Sequence, residues 1–208
     1  MEPDRLDPFR QALVHLRRAL REGDLRPGAR VSAKAIADAL TLSPTPVREA
    51  LARLAGEGAL EERRREGYFV PTPTAADIAA LYHLSEQTLR IAQGRHPSQS
   101  RPVAADPRAD PLRAVDRLFL AWAADAESAV TRDSYRFLSL RLAPVRRCEA
   151  FLLPGLAQEA EALFSLAASA RRGRGPALRA FHGRRIAVAE GLARCLRSSE
   201  ATPDDDAL

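Results

Sequence analysis

Ser43-Pro44-Thr45-Pro46-Val47-Arg48-Glu49-Ala50-Leu51-Ala52-Arg53-Leu54 is the stretch on which the reading of this chain turns. It opens with helix-start chemistry, because Ser43 can cap and proline is tolerated in a first turn whose amides lack intrahelical partners. Val47, Leu51 and Leu54 fall at i, i+4 and i+7 and predict one apolar stripe. Thr45, Arg48 and Ala52 lie on the other side, with Glu49 beside them. A short helix that buries one face and offers Thr and Arg near its N-terminus has the form of a DNA recognition helix. Alone, the stretch is equally compatible with an ordinary amphipathic surface helix, so its neighbours decide.

Upstream, residues 8–22 read as a helix with Phe9, Leu13, Leu16 and Leu20 as its stripe, ended by Gly23 and turned by Pro27-Gly28. A second helix follows from about Ser32 to Leu40, with Ser32 as cap and Ile36 and Leu40 inward. Only Thr41-Leu42 separates it from Ser43, the spacing of a helix-turn-helix. Downstream, Gly56-Glu57-Gly58 stops the helix. Ala59-Leu60-Glu61-Glu62 and Gly67-Tyr68-Phe69-Val70 then bracket Arg63-Arg64-Arg65-Glu66, predicting a hairpin with a basic tip. Three helices and a basic hairpin within so short a span make a winged helix-turn-helix.

At 208 residues the chain has room for one large or two small domains. Its 46% hydrophobic and 28% charged residues are ordinary for a soluble protein. The net charge of +5 and pI near 10.0 permit a polyanionic partner. No apolar run is long enough for a membrane span and no signal-peptide pattern opens the chain, so the expected location is the cytoplasm, with no membrane partner. Cys148 and Cys195 lack CxxC spacing and read as reduced, idle thiols rather than a disulfide or zinc site. No nucleophile–base pair, phosphate loop or complete metal set is present, and no enzyme, cofactor or metal is expected.

The motifs Leu25-Arg26-Pro27-Gly28, Ile36-Ala37-Asp38-Ala39-Leu40, Thr45-Pro46-Val47-Arg48-Glu49-Ala50-Leu51-Ala52-Arg53-Leu54, Glu57-Gly58 and Gly67-Tyr68-Phe69-Val70 together resemble the DNA-binding domain of GntR-family bacterial transcriptional regulators. The resemblance spans about residues 8–71. It implies a double-stranded DNA operator as partner and Lys34, Ser43, Thr45, Arg48, Arg63, Arg64, Arg65 and Gly67 as the DNA-contacting set. One departure matters: the family usually places a guanine-reading arginine just before the TPVRE segment, and here Pro44 stands there. Proline has no donor for guanine O6 and N7, a loss of about 1–3 kcal/mol, and specificity shifts to Thr45, Arg48, Lys34 and the wing.

After the stiff Pro71-Thr72-Pro73-Thr74 connector, the rest reads as helical. The expected segments are 75–94, 112–125, 131–153 with an interruption near Pro144, 156–171, and a last helix from Pro176 to about Arg197. A flexible linker is expected near 95–111 and a frayed acidic tail over 201–208. The fold class is thus mainly α, a winged helix-turn-helix over 1–73 followed by an all-α bundle over 74–200. Domain order resembles the FadR subfamily, whose C-terminal FCD domain senses a ligand and mediates dimerisation. That resemblance implies a homodimer and a small-molecule effector, a carboxylate among the candidates, with repression the commoner mode in the family. The alternative is a bundle that only dimerises or binds a protein partner.

The subfamily's metal site begins Asp-x-x-Phe-His. Here Asp116-Arg117-Leu118-Phe119-Leu120 keeps the aspartate and loses the histidine. His182 matches the last histidine, Ala160 falls near the intermediate one, and Ser85 replaces an arginine of the linker helix. Asp116 and His182 are therefore the candidate effector-binding residues. The periodicity faces both inward, where they need partners and can pair with each other. Two ligands anchor zinc poorly. His83 and His96 read as exposed. Residues 171–197 hold eight arginines against the single Glu190, a solvated face or a further anion-binding one.

Overall fold

The computed structural model describes residues 7–93, 103–168 and 174–200. The chain divides into two compact units, Met1–Thr72 with Leu196–Leu208, and Pro73–Cys195. Each is taken by itself.

In the first unit, α1 spans Pro8–Glu22, capped by the Asp7 carboxylate on the Arg10 amide and closed by Gly23 at φ 79°. Helix α2 (Ala33–Leu40) starts at Ser32, whose hydroxyl takes the Ala35 amide. Helix α3 (Pro44–Gly56) buries Val47, Ala50, Leu51 and Leu54 completely. These side chains meet Ala12, Leu16 and Leu20 of α1 and Ile36 and Ala37 of α2 to form the core. Leu40, expected inward, is only half-buried, and Ala37 takes the inward place.

The expected hairpin is β2 (Glu61–Arg63) and β3 (Gly67–Phe69), antiparallel with Glu62 opposite Tyr68. A further strand, β1 (Arg30–Val31), pairs with the other edge of β3, giving the order β1-β3-β2. Two residues are too short to show alternation, so periodicity alone misses it.

Among the described residues the second unit holds α4 (Ala75–Ala92), α5 (Pro111–Ala124), α6 (Ala129–Leu152), α7 (Leu156–Ala168), α8 (Arg174–Ala187) and α9, which runs from Ala189 to Glu200 across the unit boundary. Thr74 and Asp77 form a reciprocal capping box that starts α4. On α4, Tyr82 is buried while Leu84 and Ile91 are exposed. The core gathers Leu89, Val115, Leu118, Phe119, Trp122, Tyr135, Ala160, Leu163, Leu178 and Phe181.

Two expected boundaries change. Helix α6 runs unbroken through Pro144, which costs it a backbone bond, yet Leu142 and Val145 on either side are fully buried and the packing holds the helix together. The single last helix is instead two, parted at Val188, whose amide bonds back three residues to the Arg185 carbonyl. Of the expected flexible linker, residues 95–102 lie outside the described residues, as do His96 and the tail over 201–208. Residues 103–110 are a pinned coil, with the Asp106 carboxylate accepting the Arg108 and Ala109 amides and Val103 packed on the core.

Leu51→Ala removes a fully buried side chain shared by α1 and α3. It should destabilise the first unit by about 2–5 kcal/mol, read as faster hydrogen exchange in α1 and α3 with the amides of α4–α8 unchanged.

Candidate nucleic-acid interface and a buried polar cluster

The core face of α3 determines what its other face offers. Thr45, Arg48 and Ala52 follow at i, i+3 and i+7 and are all exposed, as is Glu49. The α2–α3 turn is tight enough to force Thr41 to φ 54°, an uncommon place for a β-branched residue, and the Leu42 amide bonds back to the Ala37 carbonyl at 2.9 Å.

Ser43 occupies the N-cap of α3 but makes no side-chain cap bond, contrary to expectation. The reason is chemical. Asp7, Ser32 and Thr74 each cap through the amide of the third helical residue. In α3 that residue is Pro46, which has none. The Ser43 hydroxyl is left exposed and unengaged.

Some basic side chains of this unit are held by neighbours, and others, Arg10 and Arg30 among them, stand exposed without a partner among the described residues. Arg17 and Arg53 both bond to Glu57, Arg17 at 2.8 and 2.9 Å and Arg53 at 2.6 Å, and so join α1 to the end of α3. Arg63 binds Glu61 at 3.1 Å and lies 4.2 Å above the Phe69 ring, so it braces the hairpin. Lys34, Arg48, Arg64 and Arg65, by contrast, are exposed and make no hydrogen bond or ion pair among the described residues. Arg65 sits at the wing tip at φ 67°. Gly67 follows at φ 103°, a conformation that side chains rarely adopt, so its place in the set is that of a hinge for the wing. Of the eight candidates, Arg63 and Gly67 thus serve the wing's shape, and the other six present free side chains.

In the second unit Asp116 and His182 do not pair with each other. The Asp116 carboxylate accepts bonds from the Arg146 guanidinium and from Ser139 Oγ (2.7 Å). His182 Nδ1 lies 2.7 Å from the Leu178 carbonyl, which can only accept, so Nδ1 carries the proton. Nε2 is then the acceptor for Ser85 Oγ–H at 3.0 Å. Burial pushes the imidazole down from 6.5 to about 3.

Beside them runs a charged cluster that periodicity does not disclose. Glu149 Oε1 accepts the Tyr82 hydroxyl at 2.5 Å and Oε2 accepts Arg185 Nε at 2.8 Å. Arg185 also reaches Glu159 at 2.8 Å, which in turn holds Arg184 at 2.9 Å. Burial opposes the charge on Arg185, but Glu149 and Glu159 outweigh it and hold the guanidinium above its ordinary value. Burial, then Glu149, raises the Tyr82 hydroxyl. A narrow crevice of about 10 Å³, partly open to solvent, is lined by Leu112, Val115, Phe181 and this cluster's Arg146, Glu149, Glu159 and Arg185.

Three guanidiniums (Arg146, Arg184, Arg185) face three carboxylates (Asp116, Glu149, Glu159), so the cluster is neutral within itself. The residues present do not fit a metal ion. A guanidinium sits on Asp116, Ser85 occupies the remaining nitrogen of His182, and the other two positions are Leu120 and Ala160. Nor are the arginines of 174–197 one solvated face, since Arg174 and Arg185 are buried. Arg174 donates to the Ala167 carbonyl and lies 4.9 Å over Trp122.

The family model for bacterial regulatory proteins of the gntR family matches residues 9–70. The match runs from α1 to the residue after β3 and so takes in the whole winged helix-turn-helix. Among solved structures, the chain is similar to a Rhodococcus sp. RHA1 protein described as a transcriptional regulator GntR, at TM-score 0.72 and 24% identity over 88% of this chain and 97% of that one. It is also similar to E. coli McbR/YncC, at TM-score 0.66 and 21% identity over 89% and 98%. At these identities the likeness shows a common fold along nearly the whole length. Among curated proteins none matches this sequence. No described helix is long and apolar enough to cross a membrane.

Arg48→Ala should weaken operator binding by about 1–3 kcal/mol per head, measured by fluorescence anisotropy on DNA from upstream of the gene. Arg53→Ala, which removes an arginine already held by Glu57, should cost at most about 1 kcal/mol. Equal losses would remove Arg48 from the reading surface.

For His182 the unfolded chain binds a proton below pH 6.5 that the folded chain refuses until about pH 3. Its contribution is full above pH 6.5 and is lost as pH falls, about 2 kcal/mol by pH 5. His182→Gln should flatten the pH 5–7 stability profile of the bundle, followed by Trp122 fluorescence.

Proposed function

We propose that this chain is a cytoplasmic, non-enzymatic transcriptional repressor that binds a near-palindromic operator as a homodimer. Residues 1–73 would read the DNA, and residues 74–200 would form a dimerisation domain of FadR type. The observation that carries this reading is the division of the cations in the first unit. Arg17, Arg53 and Arg63 are spent on internal contacts, whereas Lys34, Arg48, Arg64 and Arg65 stand free on the second helix, the recognition helix and the wing. Unpaired cations are what phosphates and guanine edges recruit. Ser43 and Thr45 add hydroxyls at the start of α3. In support of a second copy, Leu84 and Ile91 lie seven residues apart on one face of α4, both more than half exposed, an apolar strip for a partner to cover.

The bundle supports regulation without a carboxylate effector better than with one. Every guanidinium lining the crevice already holds a protein carboxylate, so an anionic ligand gains attraction only by expelling one. The crevice itself, at about 10 Å³, has room for little more than a water molecule. Any ligand shifts DNA binding only through its differential affinity for the binding-competent arrangement.

Footprinting on the upstream DNA should show two protected half-sites one helical turn apart, and sedimentation should give two chains per duplex. One chain on one half-site at saturation would overturn the dimer. A thermal-shift series of mono- and dicarboxylates should leave the bundle's midpoint unmoved, and a saturable rise with one of them would restore the carboxylate reading.

A further inference from the structure

We propose that Arg30, on strand β1, is a further phosphate contact of the winged helix and grips the DNA backbone beside the wing. The inference rests on the DNA-reading role proposed above and adds to it a residue outside the candidate set. Strand β1 is held by its backbone. Arg30 pairs with Phe69 and Val31 with Tyr68. The ladder continues one residue back, where the Val70 amide donates to the Ala29 carbonyl at 3.0 Å and the Gly28 amide to the Val70 carbonyl at 2.9 Å. Successive side chains of a strand point to opposite faces. Val31 is buried against the core, so Arg30 is turned to the outer face, and it is exposed.

Its guanidinium does not simply extend into solvent. A Cβ placed on Gly67 would lie 3.6 Å from Arg30 Nε and 3.7 Å from Nη2. The side chain therefore reaches from β1 onto the first residue of β3, at the root of the wing and two residues from Arg65. Phe69 stands directly opposite both Arg30 and Glu61, so the three share one face of the sheet. The carboxylate in that row is already taken, because Glu61 accepts bonds from Arg63 at 3.1 and 3.3 Å. Arg30 is left with no hydrogen bond or ion pair among the described residues. A guanidinium laid against a glycine has given up part of its rotamer freedom before any partner arrives, yet it keeps its full fork of donors. That fork matches phosphate oxygens. Arg30 belongs to the sheet and not to α3, so the contact it makes is to backbone and carries no sequence information.

The test is fluorescence anisotropy across a salt series, on duplex DNA from upstream of the gene and on an unrelated duplex. Arg30→Ala should weaken binding to both by a similar factor, roughly tenfold per head at low salt. The plot of log K against log salt should become shallower by about 0.9 per head. Arg30→Lys keeps the charge and should restore most of that slope. Arg30→Gln should repeat the loss with a longer side chain on β1, which covers the case in which the alanine variant folds poorly. Unchanged affinity and slope in Arg30→Gln, with Arg48→Ala still weakened, would overturn the phosphate contact and leave the DNA-reading role standing. A loss confined to the upstream duplex would also overturn it, since a phosphate contact is blind to sequence. No binding of the wild-type chain to either duplex at low salt would remove the DNA-reading role and this contact together.

Discussion

Burial of one face of α3 is the constraint on which the first unit depends. Val47, Ala50, Leu51 and Leu54 have no exposed surface at all, and α1 and α2 exist in their positions to cover them. Once that face is taken out of water, the helix cannot rotate without exposing several large side chains, each worth about 1.5–3 kcal/mol. Thr45 and Arg48 are therefore presented by default, as the residues left on the other side. Glu57 completes the arrangement. A carboxylate at a helix C-terminus is poorly placed with respect to the helix dipole, and here two guanidiniums, one from α1 and one from α3 itself, offset it. The same contact removes Arg17 and Arg53 from competition for phosphate and leaves exposed, unpaired cations at Arg10, Arg30, Lys34, Arg48, Arg64 and Arg65 among the described residues.

The second unit follows a different logic. Its centre is apolar, but one side is closed by opposed charges: Asp116 against Arg146, and Glu149 and Glu159 against Arg185. Burying such ions costs several kcal/mol each, which their attraction repays only with good geometry. Here Tyr82, Ser139 and the Phe181 carbonyl fill remaining hydrogen-bonding positions. Losing one partner would strand a charge, so the cluster tolerates substitution poorly and holds α4, α5, α6, α7 and α8 in one arrangement.

What was legible in the sequence follows from which signals are local. Capping residues, glycine stops and apolar spacing placed every helix of the head within a residue or two, because each signal acts over one turn. Strand β1 was not legible, being only Arg30-Val31 and defined by pairing with Tyr68 and Phe69 far along the chain. The exposed residues of α3 were readable because they are the complement of a regular apolar stripe. The charged cluster was not, and the reason is specific. Arg146 and Glu149 lie on the core face of α6 just beyond Pro144, and reading the helix as interrupted there hides that they continue the stripe of Leu138, Leu142 and Val145. Asp116 and His182 were correctly read as facing inward, but their partners Arg146, Ser139, Ser85 and Leu178 come from other turns and helices, which one-dimensional spacing does not pair.

The two prolines at the start of α3 bear on how that end meets a phosphate backbone or a base. A helix N-terminus attracts anions through four unpaired amides. Here Pro44 and Pro46 supply none, leaving those of Ser43 and Thr45. The loss weakens the backbone as an anion seat and, by denying Ser43 its usual capping partner, releases a hydroxyl. Fixed φ at both prolines keeps this end ordered without the cap bond. At the position where a guanidinium would extend several bonds toward a guanine, the chain instead sets a rigid ring between two short hydroxyl side chains. Hydroxyls donate to phosphates or accept from bases at close range and discriminate weakly among bases. Under the proposed DNA-reading role, base choice in the half-site would fall to Arg48, one turn further along, with the wing's Arg64 and Arg65 contributing affinity and register.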